Sequence, residues 1–196
     1  MESLVLFAKI PSLGKVKTRL AASVGDDMAL KVYEACLKDS LSLVHHWYQD
    51  KNGPTQKRIR VYLAEKNPAS HELFKDIEVH YQEGQDLGER MKRCCDAEFE
   101  TGASKVVIIG SDSPTLPVYM LRQAFSALAC HDVALGPAFD GGYWLFGARE
   151  KTPPIFSDIQ WSTPSVMTQT AQHVHREKCD TALLPFWYDI DDIDDI

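Results

Sequence analysis

The sequence lacks the features that mark secreted, disulfide-bonded or membrane-spanning proteins. Its 196 residues include five cysteines, an odd number, and no two of them have C-x-x-C spacing. A disulfide framework or a zinc knuckle is therefore not expected. The cysteines are instead expected to be reduced thiols in a cytoplasmic protein. The first apolar run, from Leu4 to Ala8, is too short for a signal peptide and is followed by Lys9. No run approaches the length of a transmembrane helix, so no membrane partner is expected.

Basic charge is also scarce. Lys and Arg number 21 against 28 Asp and Glu, which gives a net charge of −7. An acidic chain of this kind is not expected to bind nucleic acid, which attracts basic surfaces. Apolar residues make up 44% of the chain and charged residues 25%, as in ordinary globular proteins. This composition and length predict a single domain over residues 1–196.

Several well-known catalytic motifs are missing. The chain has no G-x-x-x-x-G-K-[ST] loop, no G-x-S-x-G elbow and no H-E-x-x-H pair. The sequence therefore gives no support to a P-loop nucleotide hydrolase, an α/β-hydrolase or a zinc protease.

Short apolar strand patterns alternate with helical ones along most of the chain. This alternation predicts an α/β fold, a three-layer sandwich around a mostly parallel central sheet. In such folds, ligands bind at the carboxyl ends of the strands. The active edge is therefore predicted to contain the loops at 9–19, 111–117 and 140–142 and the C-terminal tail. The predicted strands are 4–8, 58–64, 77–81, 105–110, 132–136, 143–146 and 182–188, and the predicted helices are 26–47, 87–99, 117–130 and 163–178.

A basic loop follows the first predicted strand. Residues 4–24 contain no acidic residue, yet they include Lys9, Lys15, Lys17 and Arg19. Gly14 lets the backbone come close to a ligand. A strand, a glycine-containing basic loop and then a helix favour a phosphate-binding site. A solvated basic loop explains the composition equally well.

Carboxylates follow two other predicted strands. Asp112 comes directly after the strand K-V-V-I-I-G, and Asp189 and Asp191 begin an acidic tail in which five of the last eight residues are Asp. Such carboxylates could hold a divalent cation that also binds phosphate oxygens. The simpler alternatives are a turn or capping role for Asp112 and a disordered tail.

The segment Asp140-Gly141-Gly142 precedes two aromatic residues. An acid beside aromatics could hold a hydroxyl-bearing acceptor molecule. An ordinary hairpin turn is the simpler interpretation of Asp-Gly alone.

Five segments in this order resemble one family. They are F-A-K-I-P-S-L-G-K-V-K-T-R-L at 7–20, Q-E-G-Q-D-L-G-E-R-M at 82–91, G-S-D-S-P-T-L-P at 110–117, D-G-G-Y-W-L-F-G at 140–147 and Y-D-I-D at 188–191. The chain is similar to small bacterial transferases with the glycosyltransferase-A, or nucleotide-diphosphosugar transferase, fold, described as radical-SAM/selenodomain-associated transferases. More distantly it resembles phospholactate and molybdenum-cofactor guanylyltransferases. Those relatives continue with a helix after the aspartates, whereas this sequence ends at Ile196.

The resemblance implies a nucleotide-diphosphosugar transferase-like domain with a divalent cation, Mg²⁺ or Mn²⁺. It also implies a nucleotide or nucleotide-sugar donor and a small-molecule acceptor. The implied catalytic residues are Lys17, Arg19 and Asp112, and the implied metal ligands are Asp112, Asp189 and Asp191. The implied nucleotide-binding residues are Ala8, Lys9, Gly14, Lys15, Lys17, Gln85, Leu87 and Gly88, and the implied acceptor-binding residues are Asp140, Gly141 and Gly142.

Two reactions are compatible with this site. A nucleotidyltransferase would join the nucleotide to a phosphorylated acceptor and release pyrophosphate, whereas a glycosyltransferase would break the sugar–phosphate bond. The basic loop favours the first, because a triphosphate requires more positive charge. A catalytically idle nucleotide-binding module and a phosphoester-hydrolysing α/β enzyme remain as alternatives.

Overall fold

A computed structural model describes residues 1–51, 53–66 and 73–196. A central sheet runs through this part of the chain and contains seven strands. Their bounds are β1 Glu2–Ala8, β2 Lys57–Leu63, β3 Glu78–Tyr81, β4 Lys105–Ile109, β5 Val133–Pro137, β6 Tyr143–Arg149 and β7 Thr181–Leu183.

The α-helices lie between these strands along the chain. They are α1 Thr18–Val24, α2 Asp26–Gln49, α3 Leu87–Glu100, α4 Val118–Ala127 and α5 Val166–Arg176, and a short 3₁₀ turn covers Ile193–Asp195. Among the residues described, no helix is both long enough and apolar enough to cross a membrane.

The strand order is β3-β2-β1-β4-β6-β5-β7. Strand β1 pairs in parallel with β2 and β4, and β6 is antiparallel to its neighbours β4 and β5. The predicted mostly parallel α/β sheet is therefore confirmed. Because β1 and β4 are parallel neighbours, the loops that follow Ala8 and Ile109 emerge at the same edge.

Alternating residues of β1 divide the core into two layers, as expected for a strand buried on both faces. Leu4 and Leu6 contact residues of α2 and α4, whereas Val5 and Phe7 belong to the cluster that contains residues of α3 and α5. Helices therefore cover both faces of the sheet, which makes the three layers.

Several boundaries differ from the sequence prediction, and three of these differences lie near the predicted active edge. Thr18 and Arg19, predicted to be loop, begin the short helix α1. Helix α5 begins at Val166 with Ser165 as its N-cap, and the hydroxyl of Thr163, the predicted cap, donates to Gln160 O at 2.7 Å. The last strand ends at Leu183 rather than at residue 188, since Pro185, without an N–H group, interrupts the ladder.

Candidate active site

A cleft of about 620 Å³ opens at the carboxyl ends of β1 and β4. It lies where the sequence predicted the active edge, and it is lined from both core layers and from the C-terminal segment. The predicted site residues that line it are Ala8, Lys9, Lys17, Arg19, Leu87, Asp112, Asp140, Gly142, Asp189 and Asp191.

Tyr33 of α2 connects the two loops that form the floor of the cleft. Its hydroxyl accepts a hydrogen bond from Lys9 N at 2.8 Å and lies 3.0 Å from Lys9 O and 3.3 Å from Ser111 Oγ. Burial raises the pKa of Tyr33 to about 12, so the phenol is neutral near pH 7. A neutral hydroxyl can both donate and accept, and this one fixes the loop after β1 against the loop after β4.

Lys17 places its ammonium among the acidic residues. Its side chain is only 2% exposed, and Nζ donates to Asp112 Oδ1 and to Ile190 O and lies 3.5 Å from Asp191 Oδ1. Arg19, in contrast, is exposed and lies 3.9 Å from Asp191 Oδ2. The basic loop and the acidic tail therefore meet at Lys17.

The C-terminal segment is docked on the loop after β4. Ile190 N donates to Asp112 O at 2.9 Å, and the Ser113 hydroxyl donates to Asp189 Oδ1. Further along, the carboxylate of Asp195 accepts from Asp191 N at 2.7 Å and from Asp192 N at 3.0 Å. These contacts hold Asp189 and Asp191 beside the cleft, in contrast to the disordered-tail alternative.

The acidic residues of the cleft repel one another. Burial raises the pKa of Asp189 to about 6, and the charges of Asp112 and Asp191 contribute in the same direction against the hydrogen bond from Ser113. Burial and the charge of Asp112 also raise the pKa of Asp191, whereas Lys17 opposes this shift. Additional positive charge at this point would relieve the repulsion.

These residues fit an open metal site rather than a closed one. No group of three or more His, Cys, Asp or Glu side chains within the described ranges is arranged to hold a metal by itself. Asp112 and Asp191 nevertheless both reach the single Nζ atom of Lys17, so two carboxylates converge on one point. Mg²⁺ is usually held by one or two carboxylates together with substrate phosphates and water.

The predicted nucleotide-binding residues separate into two groups. Ala8, Lys9, Lys17 and Leu87 line the cleft, whereas Gly14, Lys15 and Gln85 are exposed and lie outside its lining. Gly88 is buried, and a Cβ atom there would lie 2.5 Å from Cζ2 of Trp161. The lack of a side chain at Gly88 therefore makes room for the Trp161 ring, which itself lines the cleft.

The Asp140-Gly141-Gly142 segment forms a tight turn at the rim. Gly142 N donates to Asp140 Oδ1 at 2.8 Å, and both residues line the cleft. Gly141 has φ +88°, and a Cβ atom there would lie 2.2 Å from Pro164 O. The segment therefore forms a turn, and Asp140 and Gly142 of that turn also face the cleft, while their contact with an acceptor stays a prediction.

Sequence reasoning missed Trp161 of the cleft wall, which lies beside Tyr143, one of the two aromatic residues that follow Gly142. The Tyr143 hydroxyl and Trp161 Nε1 are the buried side-chain polar atoms in the described structure that have no hydrogen-bond partner. Their rings meet edge to face, with centroids 6.3 Å apart. Unpaired buried polar groups are rare in folded proteins, and Trp161 stands in no motif that could have signalled it.

A family model described as "Uncharacterized protein conserved in bacteria (DUF2064)" matches residues 49–163, more than half of the sequence. The chain belongs to the DUF2064 family. No curated protein matches the sequence. The matched residues of this DUF2064 chain include β4, Asp112 and the Asp140 turn, whereas Lys17 and the acidic tail lie outside the match.

Solved structures share the fold. A crystal structure from Desulfovibrio desulfuricans G20, provisionally named a nucleotide-diphospho-sugar transferase, is 33% identical, with 97% of this DUF2064 chain and 82% of that chain covered and a TM-score of 0.87. CMP:2-keto-3-deoxy-manno-octonic acid synthetase complexed with CTP is 9% identical, with coverage of 97% and 93% and a TM-score of 0.55. The inositol-1-phosphate CTP transferase from T. maritima is 14% identical, with coverage of 100% and 91% and a TM-score of 0.55.

These likenesses confirm the predicted nucleotide-diphosphosugar transferase fold. At 9% and 14% identity, the last two bear on the fold alone. The relative at 33% identity supports the prediction that this DUF2064 protein is a transferase enzyme.

Proposed function

We propose that the protein is a metal-dependent transferase that transfers a group from a nucleotide substrate to a small acceptor. The observation that carries this proposal is the meeting of Lys17 and Arg19 with Asp112 and Asp191 in one cleft. Phosphate transfer needs positive charge around the phosphates and a precise alignment of the reactants, and little covalent chemistry from the protein. A cleft that combines cationic side chains with cation-binding carboxylates meets both needs.

The cationic and the acidic side chains of the cleft are proposed to bind different parts of the substrate complex. Arg19, which is exposed, and Lys17 would hold the phosphates of the donor. Asp112, with Asp189 or Asp191, would hold Mg²⁺ or Mn²⁺. When bound, the ion would offset the negative charge that develops on the departing phosphate group. Ser113 holds Asp189, and the hydrogen bond from Ile190 N to Asp112 O keeps the C-terminal segment beside Asp112.

The acceptor would lie on the opposite wall of the cleft. Asp140 and Gly142 form its rim, and Tyr143 and Trp161 form an aromatic surface behind them. A carboxylate accepts hydrogen bonds from hydroxyl groups, and an indole N–H donates to an oxygen. This chemistry suits an acceptor that carries hydroxyl groups, as the acid and the aromatic residues of the segment 140–144 predict.

Two alternative reactions are proposed for this cleft, ranked by how well the side chains of the cleft support them. Nucleotidyl transfer from a nucleoside triphosphate comes first, because Lys9, Lys17 and Arg19 all line the cleft and a triphosphate carries the larger charge. Glycosyl transfer from a nucleotide sugar comes second. It is supported by the relative from Desulfovibrio desulfuricans G20, provisionally named a nucleotide-diphospho-sugar transferase.

A phosphoester-hydrolysing mechanism with Asp112 as nucleophile is less favoured. Lys17 donates to Asp112 Oδ1, and Ile190 N binds the backbone oxygen of the same residue. An attacking carboxylate must be an activated anion, whereas the ammonium of Lys17 neutralises the charge of Asp112 and weakens it as a nucleophile. The contacts of Asp112 instead suit a residue that is held to bind a cation.

A product assay tests the proposal. Each nucleoside triphosphate and a set of nucleotide sugars would be incubated with Mn²⁺ and a panel of sugar phosphates and phosphorylated hydroxy acids, and the products followed by ³¹P NMR. Pyrophosphate release that requires an acceptor is the expected result, and release of a nucleoside diphosphate would select glycosyl transfer. Asp112→Asn should abolish turnover, whereas Asp27→Asn, on the exposed surface of α2, should not.

Two other results would contradict the proposal. Nucleotide binding without product across the whole panel would indicate an idle nucleotide-binding module. Release of phosphate from simple esters, independent of any nucleotide, would indicate a hydrolase.

A further inference from the structure

The surroundings of Lys17 suggest a role in addition to phosphate binding. An ammonium group has three N–H donors, and Nζ of Lys17 has three oxygen partners, on Asp112, Ile190 and Asp191. All three donors are therefore directed at the acidic side of the cleft. Lys17 cannot bind a phosphate in this arrangement without giving up at least one of these contacts.

The backbone of Lys17 restricts how that change can occur. Lys17 is the N-cap of α1, with φ 47° and ψ 45°, and its carbonyl oxygen accepts a hydrogen bond from Ala21 N at 2.8 Å. A left-handed conformation is costly for a residue with a side chain, and here the start of the helix maintains it. The backbone is thus held in place, and the flexible side chain is the part that can move.

The position of Nζ has the properties of a cation site. It lies between the carboxylates of Asp112 and Asp191, and its third partner is a backbone carbonyl oxygen. Carboxylate and carbonyl oxygens are also the ligands that hard divalent cations prefer. The ammonium and a divalent cation would therefore use the same oxygen atoms.

We propose that Lys17 is an exchangeable counter-ion, which neutralises Asp112 and Asp191 in the free protein and leaves them when a divalent cation binds. The released ammonium then turns to the phosphates of the nucleotide, so that binding of the cation and of the nucleotide favour each other. Such coupling is reciprocal by thermodynamic necessity. This inference rests on the proposed function, since it assumes that the cleft takes both a metal and a phosphate group.

The test measures Mn²⁺ binding to the protein without nucleotide, by electron paramagnetic resonance and isothermal titration calorimetry. Lys17→Met keeps most of the length of the side chain and removes its charge. It should lower the Kd for Mn²⁺ at least tenfold, because the competing cation is gone. Arg19→Met removes a charge that lies 3.9 Å from Asp191 without occupying the site, so it should change the Kd less than threefold. Lys38→Met, on the exposed surface of α2, should leave it unchanged.

Wild-type protein provides a second measurement in case Lys17→Met does not fold, which circular dichroism would detect. The pKa of Lys17 is raised by its acidic partners although burial opposes the shift, so its ammonium is charged and visible to ¹⁵N-detected NMR. Mn²⁺ should broaden and Mg²⁺ should shift the Nζ resonance as Lys17 leaves the aspartates.

The outcomes separate the two proposals. An unchanged or weaker Mn²⁺ affinity in Lys17→Met, or a Lys17 resonance that Mg²⁺ does not move, would overturn the counter-ion role and leave the proposed function standing. Absence of Mn²⁺ binding to every variant, with and without nucleotide, would overturn both.

Discussion

Gly88 and Trp161 act as a pair, because the ring of one occupies the space that a side chain on the other would need. The contact is close, at 2.5 Å from the position of a Cβ atom to Cζ2 of Trp161. Phe156 is also close, with its Cβ 3.0 Å from the same position. A change at residue 88 therefore reaches the cleft wall without any contact between residue 88 and a ligand.

We predict that Gly88→Ala displaces Trp161 and lowers the free energy of unfolding by about 1–3 kcal/mol, the usual range for overpacking a core. Urea denaturation gives the stability, and near-ultraviolet circular dichroism reports the environment of the ring. Gly110→Ala is the control, since a Cβ atom there would meet nothing closer than 4.0 Å. Equal effects of the two substitutions would show that the Gly88 contact is not important.

Trp161 also carries an unpaired N–H group. Trp161→Phe removes that donor and keeps an aromatic ring. We expect the KM for the acceptor to rise several-fold while the Kd of the nucleotide stays unchanged. The loss of stability should stay below about 2 kcal/mol, because removal of an unpaired buried donor offsets part of the lost packing. A large loss of stability with an unchanged KM would instead mean that the ring has a structural role only.

At the scale of elements, the cleft depends on how the C-terminal segment is held. Ser113, in the loop after β4, donates to Asp189, and Ile190 pairs with the backbone of Asp112. Trp187 adds a hydrogen bond from Nε1 to Thr115 Oγ1 at 3.2 Å. These three hydrogen bonds attach the C-terminal segment to the loop that follows β4.

We predict that Ser113→Ala loosens this attachment. The backbone amides of residues 187–192 should exchange hydrogen faster by about tenfold, and the affinity for Mn²⁺ should fall, because Asp189 is no longer held. Hydrogen exchange followed by mass spectrometry checks the first effect and calorimetry the second. Ser126→Ala, on the exposed surface of α4, is the control, and unchanged exchange in Ser113→Ala would contradict the attachment.

At the scale of the whole molecule, a buried ionic cluster joins Glu98 of α3 to Ser3 of β1 and to Arg58, Arg60 and Tyr62 along β2. Glu98 is fully buried and accepts hydrogen bonds from Ser3 at 2.6 Å, Arg60 at 3.0 Å and Tyr62 at 2.9 Å, and it also pairs with Arg58. Burial alone would raise the pKa of Glu98, but these hydrogen bonds and the Arg58 charge hold it below its usual value.

This cluster sets a pH dependence of folding. Because the pKa of Glu98 is lower in the folded protein than in the unfolded chain, its contribution is complete above its usual pKa of 4.5. The contribution is lost as the pH falls through the folded-state value. Glu98→Gln should cost about 3–5 kcal/mol at pH 7, since it removes the carboxylate paired with Arg58 and one of the two paired with Arg60, which keeps Glu78.

Urea unfolding between pH 7 and pH 3 measures both effects. The stability of the variant should depend less on pH below about pH 5 than that of the wild-type protein. Parallel curves for the two proteins would contradict the role of Glu98.

The sequence was sufficient for the parts of the fold that depend on local pattern. Apolar runs located β1 and β4, and their parallel pairing placed Asp112 near the basic loop, as predicted. The hairpin signal of Asp140-Gly141 agrees with the antiparallel pairing of β5 and β6. The position of β6 beside β4 was not predictable, because that pairing joins segments that are distant in the sequence. Helix α1 was also missed, since its seven residues carry too little periodicity.

The contacts within the candidate site could not be predicted either, because they also depend on segments that are distant in the sequence. Lys17 and Asp112 were recognised as candidate site residues, but their direct contact depends on the three-dimensional meeting of two loops and the tail. Trp161 lies in a segment without a motif, and only its position over Gly88 brings it into the cleft wall. Whether these residues act in catalysis stays a prediction.

A thermal-shift experiment tests the central claim most directly. Nucleoside triphosphates and nucleotide sugars would each be added with and without Mg²⁺ or Mn²⁺ to the wild-type protein and to Asp112→Asn. A ligand at 100 times its Kd contributes about 2.7 kcal/mol, which corresponds to a rise in Tm of about 5–10 °C for a protein of this size. The account predicts a metal-dependent rise with at least one nucleotide in the wild-type protein and its loss in Asp112→Asn. No rise with any nucleotide, or an equal rise in the variant, would contradict it.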